Sequence, residues 1–393
     1  DVVNMWSKMY KEKGWDKYAA YNKKGGFNQP YIIFKAKNIT DKNIRDKKWD
    51  KSRPISPGTK HPMKKLLSLV GRALYFMTAK WKGEHFILHK TQDVPRMLDS
   101  ARNLGKKGVV KYLIRDIEGC YPNMPKLAIV KAMQWMIDDA TKQGHTGIWV
   151  PTRSTRLPCQ WKESKKEGYK HIPFEIIMEV MEFSLNNAIV KMPDGQLWKQ
   201  KKGIPMGDPI SPAMTICACA AMERRWMASL KGSTKEHFIA GRYMDDILFI
   251  YAENDKWKAK EVIADFEEST CYEEPLRLED GGTNTFLEST FEIPQSGHIR
   301  YWLKNANEDS DKVWRYQHFY SYAALQQKRA LLQACLQKVQ KMASDSEAIY
   351  TSGWAKLEEF RKLKYPIWIR KSACSVMARI HREKTWLILR GNL

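Results

Sequence analysis

Two adjacent aspartates, Asp245 and Asp246, interrupt an otherwise apolar and aromatic stretch, "GRYMDDILFI" at residues 241–250. A stretch of this composition predicts a buried strand, yet an unpaired carboxylate in a dry core costs several kcal/mol. A buried strand and two solvated carboxylates are compatible if the aspartates lie at the tip of a hairpin that opens into a cleft. There they can bind a divalent cation, because Mg²⁺ prefers a few oxygen ligands and shares its coordination shell with substrate phosphates.

A third carboxylate is expected, because neighbouring residues of a strand point to opposite faces and a side-by-side pair is poorly placed to hold one ion. Asp116 is the candidate, since it lies at the end of the predicted strand "VVKYLIRDI" (109–117), just before a turn. The predicted metal site therefore comprises Asp116, Asp245 and Asp246, with Ile117 beside the first. Such a site would bind two Mg²⁺ ions, or Mn²⁺ in their place, an arrangement that supports phosphoryl or nucleotidyl transfer.

The charge of the chain predicts a polyanionic partner. The formal net charge is +23, from 67 Lys and Arg against 44 Asp and Glu. Nucleic acid is the first candidate partner and an anionic membrane surface the second. No apolar run approaches the roughly 20 residues of a spanning helix, and no signal peptide is recognisable. Seven cysteines without a CxxC pair favour a reducing compartment over a disulfide framework, so we expect an intracellular, nuclear protein.

The segment "KKGIPMGDPISP" (201–212), here named the glycine loop, is the second region that predicts chemistry. Gly203 and Gly207 allow unusual backbone angles and the close approach of a flat ligand, and the two prolines stiffen the turn into the next helix. We interpret the loop as a surface that presses against a base pair. Asp208 adds a negative charge there, which predicts a cationic neighbour.

The remaining pattern predicts helices mixed with hairpins. Helical spacing occurs at 64–78, 125–143, 174–187, 212–228 and 256–269, and from residue 322 onward. Hairpins are expected at 188–200 and 285–305, in addition to the strands at 109–117 and around the paired aspartates. Residues 145–172 are interpreted as a basic insertion without periodicity. The aromatic, basic segment 1–52 is interpreted either as a surface for phosphate contact and base stacking or as an ordinary solvated surface. This mixture favours an α+β fold, with helices on one face of an antiparallel sheet.

Three motifs in order, "DIEGCY" (116–121), "GIPMGDPISP" (203–212) and "YMDD" (243–246), resemble the palm motifs of reverse transcriptases. Four longer segments resemble one branch, the Penelope-like element reverse transcriptases, which are relatives of the telomerase catalytic subunit. They are "SRPIS" (52–56), "DIEGCYPNMPKLAIVKAM" (116–133), "NTFLESTFEI" (284–293) and "HFYSYAALQQKRALLQACLQK" (318–338). Met206, where many reverse transcriptases have Gln, fits the same branch. The resemblance covers roughly residues 30–370.

The resemblance implies a role for each matching residue. Asp116, Asp245 and Asp246 become the catalytic carboxylates, and Tyr121 becomes the aromatic "steric gate" whose ring would clash with a ribose 2′-hydroxyl. The implied nucleotide-binding positions are Arg53, Lys35, Tyr121 and Gly207, of which the two basic residues would contact the triphosphate. The implied primer grip is the hairpin that contains Phe286, Leu287 and Glu288.

The resulting expectation is a right-hand polymerase that copies an RNA template. Fingers are expected at 1–107 with a contribution from 145–200, the palm at 108–295 and the thumb at 296–393. The enzyme would extend a DNA or RNA primer with dNTPs and would not require a membrane. Two alternatives stay open, namely an RNA-dependent RNA polymerase and a domesticated polymerase fold that serves as an RNA-binding scaffold. The presence of all three carboxylates counts against the scaffold.

Overall fold

The computed structural model describes residues 2–34, 52–153, 156–162, 168–254, 259–268, 271–294, 298–304 and 316–393. The chain divides into two compact units, each assembled from three segments. The first unit comprises Asp1–Ile87, Ile117–Ser229 and Ala264–Leu278, and the second comprises Leu88–Asp116, Leu230–Ile263 and Glu279–Leu393. These segments are not the predicted fingers, palm and thumb, whose boundaries stay predictions.

The described residues form both helices and strands. The α-helices are α1 (Val2–Glu12), α2 (Lys64–Lys80), α3 (Asp93–Ala101), α4 (Cys120–Asn123), α5 (Lys126–Lys142), α6 (Phe174–Asn186), α7 (Ser211–Ser229), α8 (Gly232–Lys235), α9 (Ala259–Glu267), α10 (Leu325–Lys341), α11 (Ser346–Lys362), α12 (Ile367–His381) and α13 (Thr385–Asn392). The strands are β1 (Tyr31–Phe34), β2 (Ser52–Ile55), β3 (Val109–Ile117), β4 (Gly147–Pro151), β5 (Tyr169–Pro173), β6 (Ile189–Lys191), β7 (Leu197–Lys199), β8 (Phe238–Tyr243), β9 (Asp246–Glu253), β10 (Leu278–Asp280), β11 (Thr285–Phe286), β12 (Ser289–Glu292) and β13 (Arg300–Leu303).

Helix α7 is the centre of the first unit. Helices α2 and α5 both pack on it. Close packing is possible because α7 carries small side chains on the faces that meet its neighbours. The fully buried small residues are Cys217, Ala218, Cys219 and Ala220. The predicted helices at 64–78, 125–143, 174–187 and 212–228 are confirmed by α2, α5, α6 and α7.

The aromatic residues near the N-terminus form a core, which differs from both interpretations of that segment. Trp6, Tyr10 and Trp15 are buried, and Trp6 contacts the ring of Phe183 at a centroid distance of 5.0 Å. His61 also packs against Trp6, and burial lowers the pKa of this imidazole to about 4. These rings therefore pack within the unit, because removing a large aromatic surface from water stabilises the fold.

The basic insertion predicted at 145–172 contains a pair of strands, which its lack of periodicity did not predict. Strands β4 and β5 pair in antiparallel fashion, with Ile148 opposite Ile172. Ile148, Val150 and Ile172 are buried, so the strands have one apolar face. The sequence pattern concealed this pair because each strand has only five residues and the two are separated by a long basic stretch.

The second unit is built around a four-stranded sheet in the order β10-β3-β9-β8. Strand β9 pairs in antiparallel fashion with β3 on one side and with β8 on the other. One face of this sheet buries Ile114, Leu248 and Ile250 in a core shared with α3 and with the meander β11-β12-β13. Strand β3 confirms the predicted strand at 109–117. The predicted hairpins at 188–200 and 285–305 are confirmed by the pairing of β6 with β7 and by the meander β11-β12-β13.

Helices α10 to α13 form a second core in the same unit. Its fully buried members include Leu332, Leu336, Leu357 and Trp386. The prediction of a mostly helical C-terminal region is confirmed. No helix among the described residues combines the length and apolarity needed to cross a bilayer. No disulfide joins the seven cysteines, all of which are described and buried.

The packing of α10 can be tested with a matched pair of leucines. Leu336→Ala should lower the free energy of unfolding by about 2 to 5 kcal/mol, because it leaves a cavity in the bundle core. Leu325→Ala makes the same change at a position of the same helix that is 42% exposed, so its effect should stay within about 0.5 kcal/mol. Urea unfolding followed by circular dichroism measures both values. Equal losses for the two variants would contradict the described packing.

Candidate active site

The two aspartates of "YMDD" lie at a tight hairpin between β8 and β9. Tyr243 pairs with Asp246, so that Met244 and Asp245 form a two-residue turn and Asp246 begins β9. Asp246 is also the register partner of Asp116 on β3. The prediction of a hairpin tip is therefore confirmed, and it brings one aspartate from each of two distant segments directly opposite one another.

This register creates a like-charge pair on one face of the sheet. Residues directly opposite in an antiparallel pair have Cβ atoms about 4.5 to 5.5 Å apart, and like charges in such positions destabilise the sheet. Asp116 and Asp246 are each half-buried, which weakens solvent screening of their repulsion. A cation relieves the repulsion, and a set of carboxylate oxygens is the hard ligand type that Mg²⁺ prefers. The residues present therefore fit a magnesium site.

A strained turn holds the third carboxylate beside this pair. Met244 has a φ of 60°, a conformation that is unusual for a bulky residue and is common at functional sites. The buried Arg242 donates a hydrogen bond from its guanidinium to the carbonyl of Met244 at 2.8 Å. This bond stabilises the turn and thereby fixes the position of Asp245 at its second residue.

The structure brings together Asp116 and Asp246 but does not gather three side chains into a ready-made site. Within the described ranges, no group of three or more His, Cys, Asp or Glu side chains has a metal-binding arrangement. Magnesium sites often use one or two carboxylates and complete their coordination with water and substrate phosphates. The roles of Asp245 and of Ile117, which ends β3, stay predictions.

The glycine loop is attached at its first glycine to the turn that contains Tyr121. Gly203 has a φ of 63°, and a Cβ atom placed on it would lie 2.4 Å from the carbonyl oxygen of Tyr121 and 2.3 Å from that of Pro122. The amide of Ile204 donates a hydrogen bond to the carbonyl of Tyr121 at 2.9 Å. Backbone therefore packs directly on backbone at this point.

The other end of the glycine loop is attached to the segment that follows β2. The amide of Ser56 donates to the carbonyl of Met206 at 2.8 Å, and the amide of Gly58 donates to the carbonyl of Gly207 at 3.1 Å. Arg53 lies on β2, three residues before Ser56, and its side chain is exposed. Lys35, the other predicted triphosphate contact, lies outside the described residues.

The packing of the protein itself requires both glycines, and the contact with a base pair stays a prediction. The Cβ position of Gly203 is filled by the Tyr121–Pro122 backbone, and that of Gly207 lies 2.8 Å from the carbonyl oxygen of Ser56. Gly207 also has a φ of 119°, which side chains rarely tolerate. Any larger residue would collide with the protein itself, whether or not a nucleic acid is bound.

Asp208 is held by two hydrogen bonds within the first unit. Its two carboxylate oxygens accept hydrogen bonds from the amide of Ile210 at 3.1 Å and from the hydroxyl of Ser184 at 3.3 Å. No basic side chain in the described part of the chain forms an ion pair with it. Burial raises the pKa of this carboxyl to about 6, against the opposing effect of the two hydrogen bonds. The expected cationic neighbour is not found among the described residues, and two hydrogen bonds hold the carboxyl group instead.

The predicted primer grip is a second two-residue hairpin in the second unit. Phe286 pairs with Ser289, which leaves Leu287 and Glu288 in the turn, and Leu287 has a φ of 55°. Phe286 is buried in the sheet core. Glu288 forms an ion pair with Lys338 of α10, at 2.5 Å between Oε1 and Nζ. The hairpin tip is thus tied to the helical bundle by a charge-assisted bond.

Three sets of residues that contact the predicted site segments were not predicted from the sequence. Ser56 and Gly58 hold the glycine loop, and their only signal was the turn composition of "SRPISPG". Lys338 holds the hairpin tip from 50 positions away, and Ser184 holds Asp208 from a separate helix. Single residues that act through a distant partner leave no local pattern, so no sequence signal identified the last two.

Comparison with known proteins supports the fold. No protein-family model matches the sequence, and no curated protein matches it either. Telomerase from Candida albicans, in complex with a TWJ fragment of telomeric RNA, is similar over 98% of this chain and 65% of that chain, with 13% identity and a TM-score of 0.57. Telomerase from Candida tropicalis, also with a TWJ fragment, is similar over 98% and 60%, with 15% identity and a TM-score of 0.51.

These similarities show the fold alone. The chain spans 60–65% of the length of the two telomerases that it resembles. Together with the mixture of helices and antiparallel sheets, they confirm the predicted fold class, an α+β right-hand polymerase.

The buried carboxyl of Asp208 predicts a pH-dependent stability. The unfolded chain releases this proton near the ordinary pKa of 3.8, whereas the folded chain keeps it until about pH 6. The free energy of unfolding should therefore fall as pH rises through this window and stay lowered above it. Asp208→Asn removes the charge and can keep both hydrogen bonds. It should be more stable than the wild type near pH 7, by up to about 3 kcal/mol, and should lose this advantage near pH 4.

Asp194→Asn is the matched control for this measurement. Asp194 lies in an exposed turn and also accepts a backbone hydrogen bond, from Gln196 at 2.9 Å, but it has no burial cost that the substitution could relieve. Urea unfolding at both pH values gives the required differences. An advantage of Asp208→Asn that is the same at both pH values would contradict the account of a buried carboxyl.

Proposed function

We propose that this chain is an RNA-directed DNA polymerase, which extends a primer 3′-hydroxyl with dNTPs on an RNA template. The observation that carries the proposal is the register that sets Asp116 opposite Asp246, beside a strained turn that contains Asp245. Three further observations support it. They are the polymerase fold, the net charge of +23 and the resemblance of the ordered motifs to Penelope-like element reverse transcriptases.

Each proposed role follows from the chemistry of the side chain. Asp116, Asp245 and Asp246 present carboxylate oxygens to divalent cations, with the carbonyl of Ile117 available beside the first. When bound, two Mg²⁺ ions would lower the pKa of the primer hydroxyl and neutralise charge on the triphosphate and the departing pyrophosphate. Arg53 supports this by offering a planar, permanently charged guanidinium to the phosphates.

The remaining roles concern selection and grip. Tyr121 is proposed to lie against the sugar of the incoming nucleotide, where its ring excludes a 2′-hydroxyl. The hairpin with Phe286, Leu287 and Glu288 is proposed to hold the primer end, and its ion pair with Lys338 gives it a fixed support. The excess of Lys and Arg would follow the nucleic acid backbone, since phosphate contacts add over many charges.

The decisive experiment is primer extension on RNA and DNA templates, with dNTPs or NTPs, in the presence and absence of Mg²⁺. We expect Mg²⁺-dependent incorporation of dNTPs on RNA. A preference for NTPs would identify an RNA-dependent RNA polymerase instead. Tight, salt-sensitive RNA binding without any extension would identify an RNA-binding scaffold.

Asp245→Asn and Asp246→Asn test the carboxylates directly. Each should reduce extension by about 10²-fold or more, the range for losing one electrostatic contact to a transition state. RNA affinity should be unchanged or slightly increased, because a negative charge has been removed. Asp138→Asn, the same substitution on the exposed face of α5, is the control and should retain full activity. If Asp245→Asn synthesises DNA as fast as the wild type, Asp245 is not part of the metal site.

Tyr121 is tested by the ratio of dNTP to rNTP incorporation. Tyr121→Ala should lower this ratio, because the ring that excludes the 2′-hydroxyl is gone. Tyr121→Phe keeps the ring and should keep the ratio, which separates the steric effect from loss of the phenol hydroxyl. Single-nucleotide extension with matched dNTP and rNTP measures both variants. If Tyr121→Ala has the wild-type ratio, the ring serves packing alone.

A further inference from the structure

We propose that Gly203 is a positioning residue for sugar selection, because its contact with the Tyr121–Pro122 peptide fixes the backbone from which the ring of Tyr121 projects. The inference rests on the proposed function and extends it. It assigns a specificity role to a residue that carries no side chain and that needs no contact with the nucleotide.

The turn that carries Tyr121 is too short to fix its own conformation. Helix α4 has only four residues, far fewer than an isolated helix needs to be stable in water. Gly119, the residue before it, has a φ of 53°. The conformation of this turn therefore depends on contacts from other parts of the unit.

The glycine loop supplies such a contact at Tyr121 itself. The carbonyl of Tyr121 accepts the amide hydrogen of Ile204 at 2.9 Å. The absent Cβ of Gly203 leaves space that the carbonyls of Tyr121 and Pro122 occupy, at 2.4 and 2.3 Å from the ideal Cβ position. Real Cβ contacts essentially never come this close, so any substitution must displace one backbone or the other.

The glycine loop is also held on the far side of Pro205. Pro205 is buried and restricts the backbone between the two glycines. Beyond it, Ser56 and Gly58 form two backbone hydrogen bonds with the loop. Because the far end is anchored, a clash at Gly203 is relieved more readily by the short helix α4 than by movement of the whole loop. The displacement would then reach Tyr121.

A double-mutant cycle tests this inference. The variants are Gly203→Ala, Tyr121→Ala and the combination, and the readout is the ratio of kcat/KM for a dNTP to that for the matching rNTP at one template position. Gly203→Ala should lower the ratio by about tenfold. In the Tyr121→Ala background it should cause no further change, because residues that act through one another are not additive.

Two further variants keep the test interpretable. Gly195→Ala places a Cβ on another glycine of positive φ, 87°, with no atom within 4 Å, so it controls for backbone strain and should leave the ratio unchanged. Pro205→Ala introduces no clash but loosens the loop, and it should lower the ratio partially. Thermal unfolding shows whether Gly203→Ala folds. If it does not, the dNTP to rNTP ratio of Pro205→Ala tests the inference in its place.

The outcomes separate the inference from the proposed function. If the wild type extends primers with dNTPs and both loop variants keep its ratio, the inference is overturned while the polymerase assignment stands. The same conclusion follows if Gly203→Ala lowers the ratio equally with and without the Tyr121 ring. A wild-type chain that extends no primer, or that prefers rNTPs, would overturn the proposed function and this inference together.

Discussion

The antiparallel register of β3 and β9 imposes the central constraint, because it sets two carboxylates directly opposite one another on one face of a sheet. Such a pair is unfavourable by itself, and the surrounding structure keeps it in place. The same sheet face continues into an apolar core through Ile114 and Leu248, so a shift of register by one residue would expose that core. Burial of the apolar residues thus stabilises an arrangement that the acidic residues would not adopt alone.

A second constraint is the absence of side chains at two positions of the glycine loop. Gly203 and Gly207 let the loop pack its backbone on the Tyr121 turn and on the segment after β2. Two of the predicted nucleotide contacts in the first unit, Tyr121 and Arg53, are therefore linked through the backbone contacts of the glycine loop. Asp208 of the same loop accepts two hydrogen bonds, and no basic side chain among the described residues forms an ion pair with it.

Much of this could be predicted from sequence, and the exceptions have physical causes. Long periodic segments such as α2 and α5 were predicted correctly, because apolar spacing over several turns is a strong signal. The hairpin at Asp245 was predicted because an apolar strand cannot easily bury two carboxylates. The positive φ of Met244 in this hairpin was not predicted, because contacts such as the hydrogen bond from Arg242 impose it on a bulky residue.

The errors arose where tertiary packing decided the outcome. The N-terminal aromatics were assigned to the surface, because composition does not distinguish a stacking surface from a small aromatic core. Strands β4 and β5 were missed, because each is short and its partner is distant in sequence. A further reason for Gly203 and Gly207 was not predicted, because the backbone that fills the space beside them comes from segments distant in sequence.

The most direct test of the central claim is to count the divalent ions that the carboxylates hold. Mn²⁺ bound per chain can be measured by electron paramagnetic resonance, with RNA template, a primer that lacks its 3′-hydroxyl and the next dNTP present. The account predicts two protein-dependent Mn²⁺ ions in the wild type and a clear loss of bound Mn²⁺ in Asp116→Asn, with folding unchanged. Equal Mn²⁺ binding by the wild type and this variant would contradict it.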